Sequence, residues 1–258
     1  LGVGRVSGYS ATPELSCAQG SLAAGPAGLA WYLRSSRGVP WPVGALLGVV
    51  TAPLLGALVE LVLRRFSDAP RLILTVATIG VGLVLAFVEF NTPRGVGGTD
   101  TGLASLPTPF TRFRFTIGTQ VLTGDHMLAV VVTVALVGIV VAFFRFTDIG
   151  LATRASAENA ERAALLGIPV RRVSLIVWML AALLSGAALF LRGPLLGVAP
   201  GGTAGPSVLI YGLAAAVIAR MESAPVAFLS GTALGMVVSA TTFITNRSST
   251  ADGALLLV

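Results

Sequence analysis

The sequence predicts an all-α, polytopic bundle of transmembrane helices, with about seven to eight spans and one short charged helix outside the membrane. Composition leads to this fold class. Of the 258 residues 55% are hydrophobic and only 11% are charged, whereas a soluble domain carries roughly 25% charged residues. The mean hydropathy is +0.89. The chain also has 31 glycines, and small residues allow helices to approach closely in lipid.

Charge-free runs locate the spans, because a helix needs about 20 apolar residues to cross a bilayer. The stretch GPLLGVAPGGTAGP, 193–206, is excluded because it is too rich in glycine and proline for a helix. An eighth span begins at Ala254. The other seven predicted spans are 15–33, 38–59, 72–88, 127–144, 173–191, 207–219 and 223–246.

Arginines near the ends of the spans predict the topology. The turn 64–71 and the loop 145–172 are rich in arginine and are separated by two spans, so the positive-inside rule places both in the cytoplasm. The loop 91–126 then lies outside the cell. It contains FTRFRFTIGTQVLT, whose alternation of apolar and polar residues predicts a short strand or hairpin at the membrane surface. We expect one transmembrane domain over 1–258, truncated at both ends.

The loop sequence ATRASAENAERAALLGIPVRRV concentrates charge between two apolar spans. We predict a helix over 156–166. Ser156 is the expected N-cap, and Glu158 lies in the first turn, where the helix dipole favours an anion. Gly167, followed by Pro169, ends the helix.

This helix is expected to be amphipathic. Glu158 and Arg162 form a favourable i,i+4 pair. The charged face is formed by Arg154, Glu158, Glu161 and Arg162. The opposite face, which we expect to pack on the bundle, is formed by Ala160, Ala163, Ala164 and Leu166.

The stretch TDIGLATRASAENAERAALLGIPVRRVSLIVWMLAALLSGAAL resembles the signature of the branched-chain amino-acid ABC permeases. The matching positions are Gly150, Arg154, Ala155, Glu158, Ala163, Leu166, Gly167 and Ile168. The blocks LSCAQGSLAAGPAGLAW and LIYGLAAAVIARMESAPVAFLSGTALG are similar to two further blocks of that family. Departures such as Ser16-Cys17, where the family usually has Asn-Phe, concern substrate identity more than overall function.

The resemblance implies a multi-pass permease subunit of an ATP-driven importer in the plasma membrane of a prokaryote. Such a permease pairs with a second permease chain, homologous or identical, over two cytoplasmic ATPase subunits. It receives substrate from an extracytoplasmic binding protein. The charged helix would be the cytoplasmic coupling helix that contacts the ATPase. The residues assigned to this contact are Arg154, Ser156, Glu158, Glu161, Arg162, Leu165 and Gly167.

We expect no catalysis by the chain itself. The nucleotide-binding motif G-x-x-x-x-G-K-[ST] needs a lysine, and all 17 basic residues are arginine. We therefore expect no cofactor on this chain, with ATP and Mg²⁺ held by the ATPase subunits. A single cysteine and a single histidine exclude a metal site built from several of them. The arginines lie between apolar runs, which indicates contact with membrane lipid and not with nucleic acid.

Polar residues within the spans are candidates for the translocation path: Gln19 and Gly20 in the first span, and Thr75 and Thr78 in the third. Glu60 has Arg64 four residues on, which favours a structural ion pair.

The sequence leaves the substrate open among leucine, another amino acid, urea or a short amide. The alternative function is a stand-alone secondary transporter or channel. A secondary transporter often needs carboxylates near the span centres, and the predicted spans have almost none.

Overall fold

The computed structural model describes residues 22–23, 25–27, 29, 33, 38, 40–65, 71–91, 108–117, 120–196, 204–219 and 224–245. The described part is helical apart from one hairpin and short connections. A single turn of 3-10 helix spans Pro109–Arg112. The remaining elements, in chain order, are α1 (Trp41–Arg64), α2 (Arg71–Asn91), β1 (Arg114–Ile117), β2 (Gln120–Thr123), α3 (Gly124–Phe146), α4 (Asp148–Glu158), α5 (Ala160–Leu165), α6 (Val170–Leu196), α7 (Ala204–Ile218) and α8 (Ala224–Thr245).

The apolar helices confirm the prediction of an all-α polytopic membrane bundle. By length and composition, α1, α3 and α6 are each long and apolar enough to cross a membrane, and α2 and α8 contain shorter apolar stretches. The residues described within the predicted first span are helical. The start of the predicted eighth span lies outside the described residues.

The prediction that 193–206 contains no helix is wrong at both ends of that segment. Helix α6 continues through Pro194 to Leu196, and α7 begins at Ala204, before Ser207. A proline so close to the end of a helix removes only one backbone hydrogen bond, and membrane helices tolerate such losses. Pro206 lies in the first turn of α7, where an N–H group would have no partner within the helix.

Helices α1 and α6 pack antiparallel along a seam of small residues. A Cβ atom added to Gly56 would lie 2.6 Å from the carbonyl oxygen of Trp178 and 2.7 Å from the Cβ of Ala182. A Cβ atom added to Gly186 would lie 3.1 Å from the Cβ of Ala52. Residue numbers fall along α1, from Gly56 to Ala52, as they rise along α6, from Ala182 to Gly186, so the two helices are antiparallel. Only small residues permit this approach of the two backbones.

The core lies beside this seam. Val59, Leu63 and Trp178 form a buried cluster with Leu22, from the predicted first span. Three partly buried residues of α2 pack against it: Ala77, Val81 and Leu85. The cluster therefore joins α1, α2 and α6.

Aromatic contacts define one end of the α1–α6 pair. The ring of Trp41, the first residue of α1, lies 5.9 Å from the ring of Phe190, near the end of α6. It also lies 6.1 Å from the ring of Phe110, in the 3-10 helix. The C-terminus of α1 and the start of α6 therefore lie together at the opposite end of the pair.

The connection before α3 folds against the aromatic end. Asp125 is buried in the first turn of α3. Its carboxylate accepts hydrogen bonds from the hydroxyl of Thr108 and, at 2.9 Å, from the hydroxyl of Thr111. A Cβ atom added to Gly124 would lie 2.5 Å from the carbonyl oxygen of Phe110. These contacts fix the 3-10 helix on the N-terminus of α3.

The hairpin predicted from FTRFRFTIGTQVLT is confirmed. Strands β1 and β2 pair antiparallel, with Arg114 opposite Thr123 and Ile117 opposite Gln120. The N–H of Gly124 donates to the carbonyl of Phe113 at 2.7 Å, which closes the hairpin onto α3.

Candidate functional site

The site begins at a tight corner between α3 and α4. Thr147 is the N-cap of α4: its hydroxyl accepts a hydrogen bond from the N–H of Gly150 at 3.2 Å and donates to the carbonyl of Phe143. Gly150 is buried against α3, and any Cβ atom there would collide with the carbonyl oxygen of Phe144. The capping bond and the close approach together hold α4 rigidly on the end of α3.

Helix α4 runs through Ser156 instead of starting there, so the prediction that Ser156 is an N-cap is wrong. Ser156 is buried, and its hydroxyl donates to the carbonyl of Ala152 at 2.8 Å. Thr153 makes the same kind of bond to Ile149 at 2.6 Å. Ser and Thr inside a helix commonly bond to the preceding turn in this way.

Asn159 separates two helices where we predicted one over 156–166. Its backbone is extended, with φ −160° and ψ 108°. The side-chain oxygen of Asn159 accepts a hydrogen bond from the N–H of Arg162 at 3.0 Å, which caps α5. Glu158 therefore ends one helix and Arg162 belongs to the next. They are not an i,i+4 pair of one helix, and that part of the prediction is also wrong.

The end of α5 agrees with the prediction for Gly167. This residue has φ +82°, a left-handed conformation that favours glycine. Its N–H donates to the carbonyl of Ala164 at 3.0 Å, and the N–H of Ile168 donates to the carbonyl of Ala163 at 3.0 Å. These two bonds form a Schellman motif. The chain then enters α6 at Val170.

Exposed residues of α4 and α5, together with Leu166, the C-cap of α5, form a mixed polar and apolar surface, which we call the loop surface. It contains Arg154, Glu158, Glu161, Arg162, Leu165 and Leu166. Leu165 is 88% exposed and Leu166 is 80% exposed. Within α5 only Ala163 is buried. The expected packing of Ala160, Ala164 and Leu166 against the bundle is therefore wrong, because all three are exposed.

Comparison with known proteins assigns the family. The family described as the permease component of branched-chain amino acid transport systems matches residues 5–258. The chain belongs to this family. The permease is thus a multi-pass membrane protein of the prokaryotic plasma membrane, in agreement with its apolar helices.

One curated relative is named "Probable branched-chain amino acid transport permease protein LivH", from Methanocaldococcus jannaschii. It is 28% identical to the permease over 222 residues. The alignment covers 84% of the permease and 64% of the relative, which is less than two thirds of the relative's length. No solved structure matches the chain.

The structure brings the residues predicted for ATPase contact together in one segment. All of them are exposed except Ser156. Arg154, Glu158, Glu161, Arg162 and Leu165 are exposed, and Gly167 ends the short helix beside them. Ser156 lies in the same segment but is buried. Its hydroxyl bonds to the preceding turn of α4, and the prediction that it contacts the ATPase stays a prediction.

The residues predicted for the translocation path are not brought together by the described contacts. Thr75 and Thr78 both lie in α2, and the side chain of Thr78 is buried. Gln19 and Gly20 lie outside the described residues. The path therefore stays a prediction.

Sequence reasoning missed the capping roles of Thr147 and Asn159. Both are residue types that favour N-caps, so the signal was present in the sequence. It also missed a set of buried polar atoms. Within the described residues, three such side-chain atoms have no hydrogen-bond partner: Trp41 Nε1, Glu60 Oε2 and Arg192 Nη1. The Oε2 atom of Glu60 therefore takes no part in the predicted ion pair with Arg64. No group of three potential metal ligands occurs in this part of the chain.

Proposed function

We propose that the permease is the transmembrane subunit of an ATP-driven importer for branched-chain or related amino acids. The observation that carries the proposal is the family match over residues 5–258. The name of the curated relative supports the same substrate class. In this function the helical bundle forms the translocation path, and the permease itself catalyses no reaction.

The partners follow from the transport system. A second permease chain completes the path, two cytoplasmic ATPase subunits bind ATP and Mg²⁺, and an extracytoplasmic binding protein delivers the substrate. The permease binds no cofactor of its own. The loop surface faces the cytoplasm, since loop 145–172 is rich in arginine. We assign the contact with the ATPase to this surface because the family resemblance places the coupling helix there.

The contacts around the loop surface are suited to transmitting force. Thr147 and Gly150 join α4 rigidly to α3. The Schellman motif at Gly167 joins α5 to the start of α6. Helix α6 in turn packs closely on α1 at Gly56. A displacement of α5 by the ATPase would therefore move α6 and α1 together, which a flexible loop would not do.

Reconstitution into liposomes tests this function. We expect leucine uptake by the permease only with the ATPase subunits, the binding protein and ATP present. Uptake by the purified permease alone, driven by an ion gradient, would instead support a secondary transporter. Urea and a short amide, offered in place of leucine, test the substrate class.

Reversing charge on the loop surface is expected to uncouple transport. In Glu158→Arg or Arg162→Glu an exposed charge would face a like charge on the ATPase. We expect uptake and ATPase co-purification to fall about tenfold, which corresponds to roughly 1.4 kcal/mol at an interface. Both side chains are exposed, so the melting temperature of the permease should not change.

The matched control for the two reversed variants is Glu158→Gln, which removes one charge without reversing it. Uptake and ATPase co-purification should fall less in this variant. Full association and full uptake in both reversed variants would contradict the assignment of the loop surface.

A further inference from the structure

Glu60 is an acidic residue buried in a helix that is long and apolar enough to cross a membrane. It lies in α1, one turn before Arg64, and is only 6% exposed. Its Oε2 atom has no hydrogen-bond partner. Its neighbours in sequence, Val59 and Leu61, are apolar, and Val59 belongs to the buried cluster with Leu63 and Trp178. A carboxylate in such surroundings destabilises a protein unless a partner compensates for the lost hydration.

The other carboxylates whose side chains the structure describes do not share this situation. Asp125 is also buried, but it accepts hydrogen bonds from Thr108 and Thr111. Asp148, Glu158 and Glu161 are exposed on or beside the loop surface. Within the described part of the spans, Glu60 thus has a buried carboxyl oxygen without a hydrogen-bond partner, which a ligand bound during the transport cycle would supply.

The chemistry of the missing partner follows from the carboxylate. An oxygen anion in an apolar site binds a cation that carries N–H donors most strongly, because such hydrogen bonds are charge-assisted. An amino acid carries an ammonium group of this kind. We propose that Glu60 binds the ammonium group of the transported amino acid. This inference rests on the proposed function and adds a residue that recognises the substrate.

The position of Glu60 fits a step late in import. It lies near the C-terminus of α1, at the end of the α1–α6 pair opposite the aromatic contacts of Trp41. That is also the end at which α6 begins, directly after the loop surface. Movement of α6 by the ATPase would open this end, so the carboxylate becomes accessible when the path opens towards the cytoplasm.

Uptake by charge-neutral variants tests the proposal. In the assembled complex we expect Glu60→Gln to lower leucine uptake at least about tenfold, the loss of one charge-assisted contact. Assembly with the ATPase should not change, because Glu60 is buried within α1 and is not one of the exposed residues of the loop surface. Wild-type uptake in Glu60→Gln would overturn the proposal.

A second variant separates recognition from structure. Glu60→Leu removes a buried, unpaired carboxylate, so we expect the melting temperature to rise by roughly 2 °C or more while uptake is lost. A merely structural role for Glu60 predicts the opposite result, with a lower melting temperature. That result would overturn the proposal.

Thermal shifts with simple ligands give a readout that does not depend on transport. Isoamylamine keeps the ammonium group and the branched chain, whereas isocaproate keeps the chain but has no ammonium group. We expect isoamylamine to stabilise the purified wild-type complex but not Glu60→Gln, and isocaproate to give no shift that depends on Glu60. Equal amine shifts in both proteins would overturn the proposal. Absence of ATP-driven leucine uptake by wild type would instead contradict the proposed function.

Discussion

Replacing Leu165 and Leu166 together by aspartate is expected to weaken binding of the ATPase subunits strongly without unfolding the permease. The two side chains are 88% and 80% exposed at the end of a helix that Asn159 and Gly167 hold in place. Burial of a leucine at an interface contributes about 1.5–3 kcal/mol. Loss of both, with two charges placed in an apolar contact, should weaken association more than about a hundredfold. Titration of labelled ATPase subunit onto the purified permease measures this change.

The control for this double variant is Ala160→Asp. Ala160 is exposed and is the first residue of α5, so an added aspartate there lies where the helix dipole favours negative charge. It adds an anion to the same short helix without removing a leucine. Association should then stay close to wild type. Equal affinity in Ala160→Asp and the double variant, whether high or low, would contradict the role of the two leucines.

The spans could be predicted because a bilayer imposes a length on every helix. Their ends were less accurate. Helix α1 extends past the predicted end at 59 as far as Arg64, because a long arginine side chain can remain at the interface while its backbone continues the helix. Helix α6 extends past 191 through Pro194, because glycine and proline weaken a helix without ending it when its surroundings stabilise the backbone.

The site was predictable where its geometry is local. Gly167 ends α5 because a glycine with positive φ closes a Schellman motif within a few residues. The break at Asn159 was missed because Glu158 and the alanines around it favour a continuous helix. The exposure of Leu166 and the unpaired oxygen of Glu60 could not be predicted, because both depend on which neighbours the tertiary packing supplies.

Substituting valine for Gly56 is expected to separate α1 from α6 and to cause the largest loss of stability of any change proposed for the bundle. The first side-chain carbon would lie 2.6 Å from the carbonyl oxygen of Trp178 and 2.7 Å from the Cβ of Ala182. Neither is the flexible end of a side chain, so one helix must move. Overpacking of this kind costs about 1–3 kcal/mol or more, so the melting temperature should fall by roughly 5–10 °C.

The matched control for Gly56 is Gly138→Val, in α3, where an added Cβ would have no atom within 4 Å. Gly138→Val makes the same substitution in another span, so its effect on helix propensity is the same as that of Gly56→Val. Thermal unfolding of both variants in detergent therefore isolates the contact with α6. Since α6 begins next to the loop surface, we also expect Gly56→Val to reduce uptake even where folded protein remains. Equal melting temperatures for the two variants would mean that the seam at Gly56 does not hold α1 and α6 together.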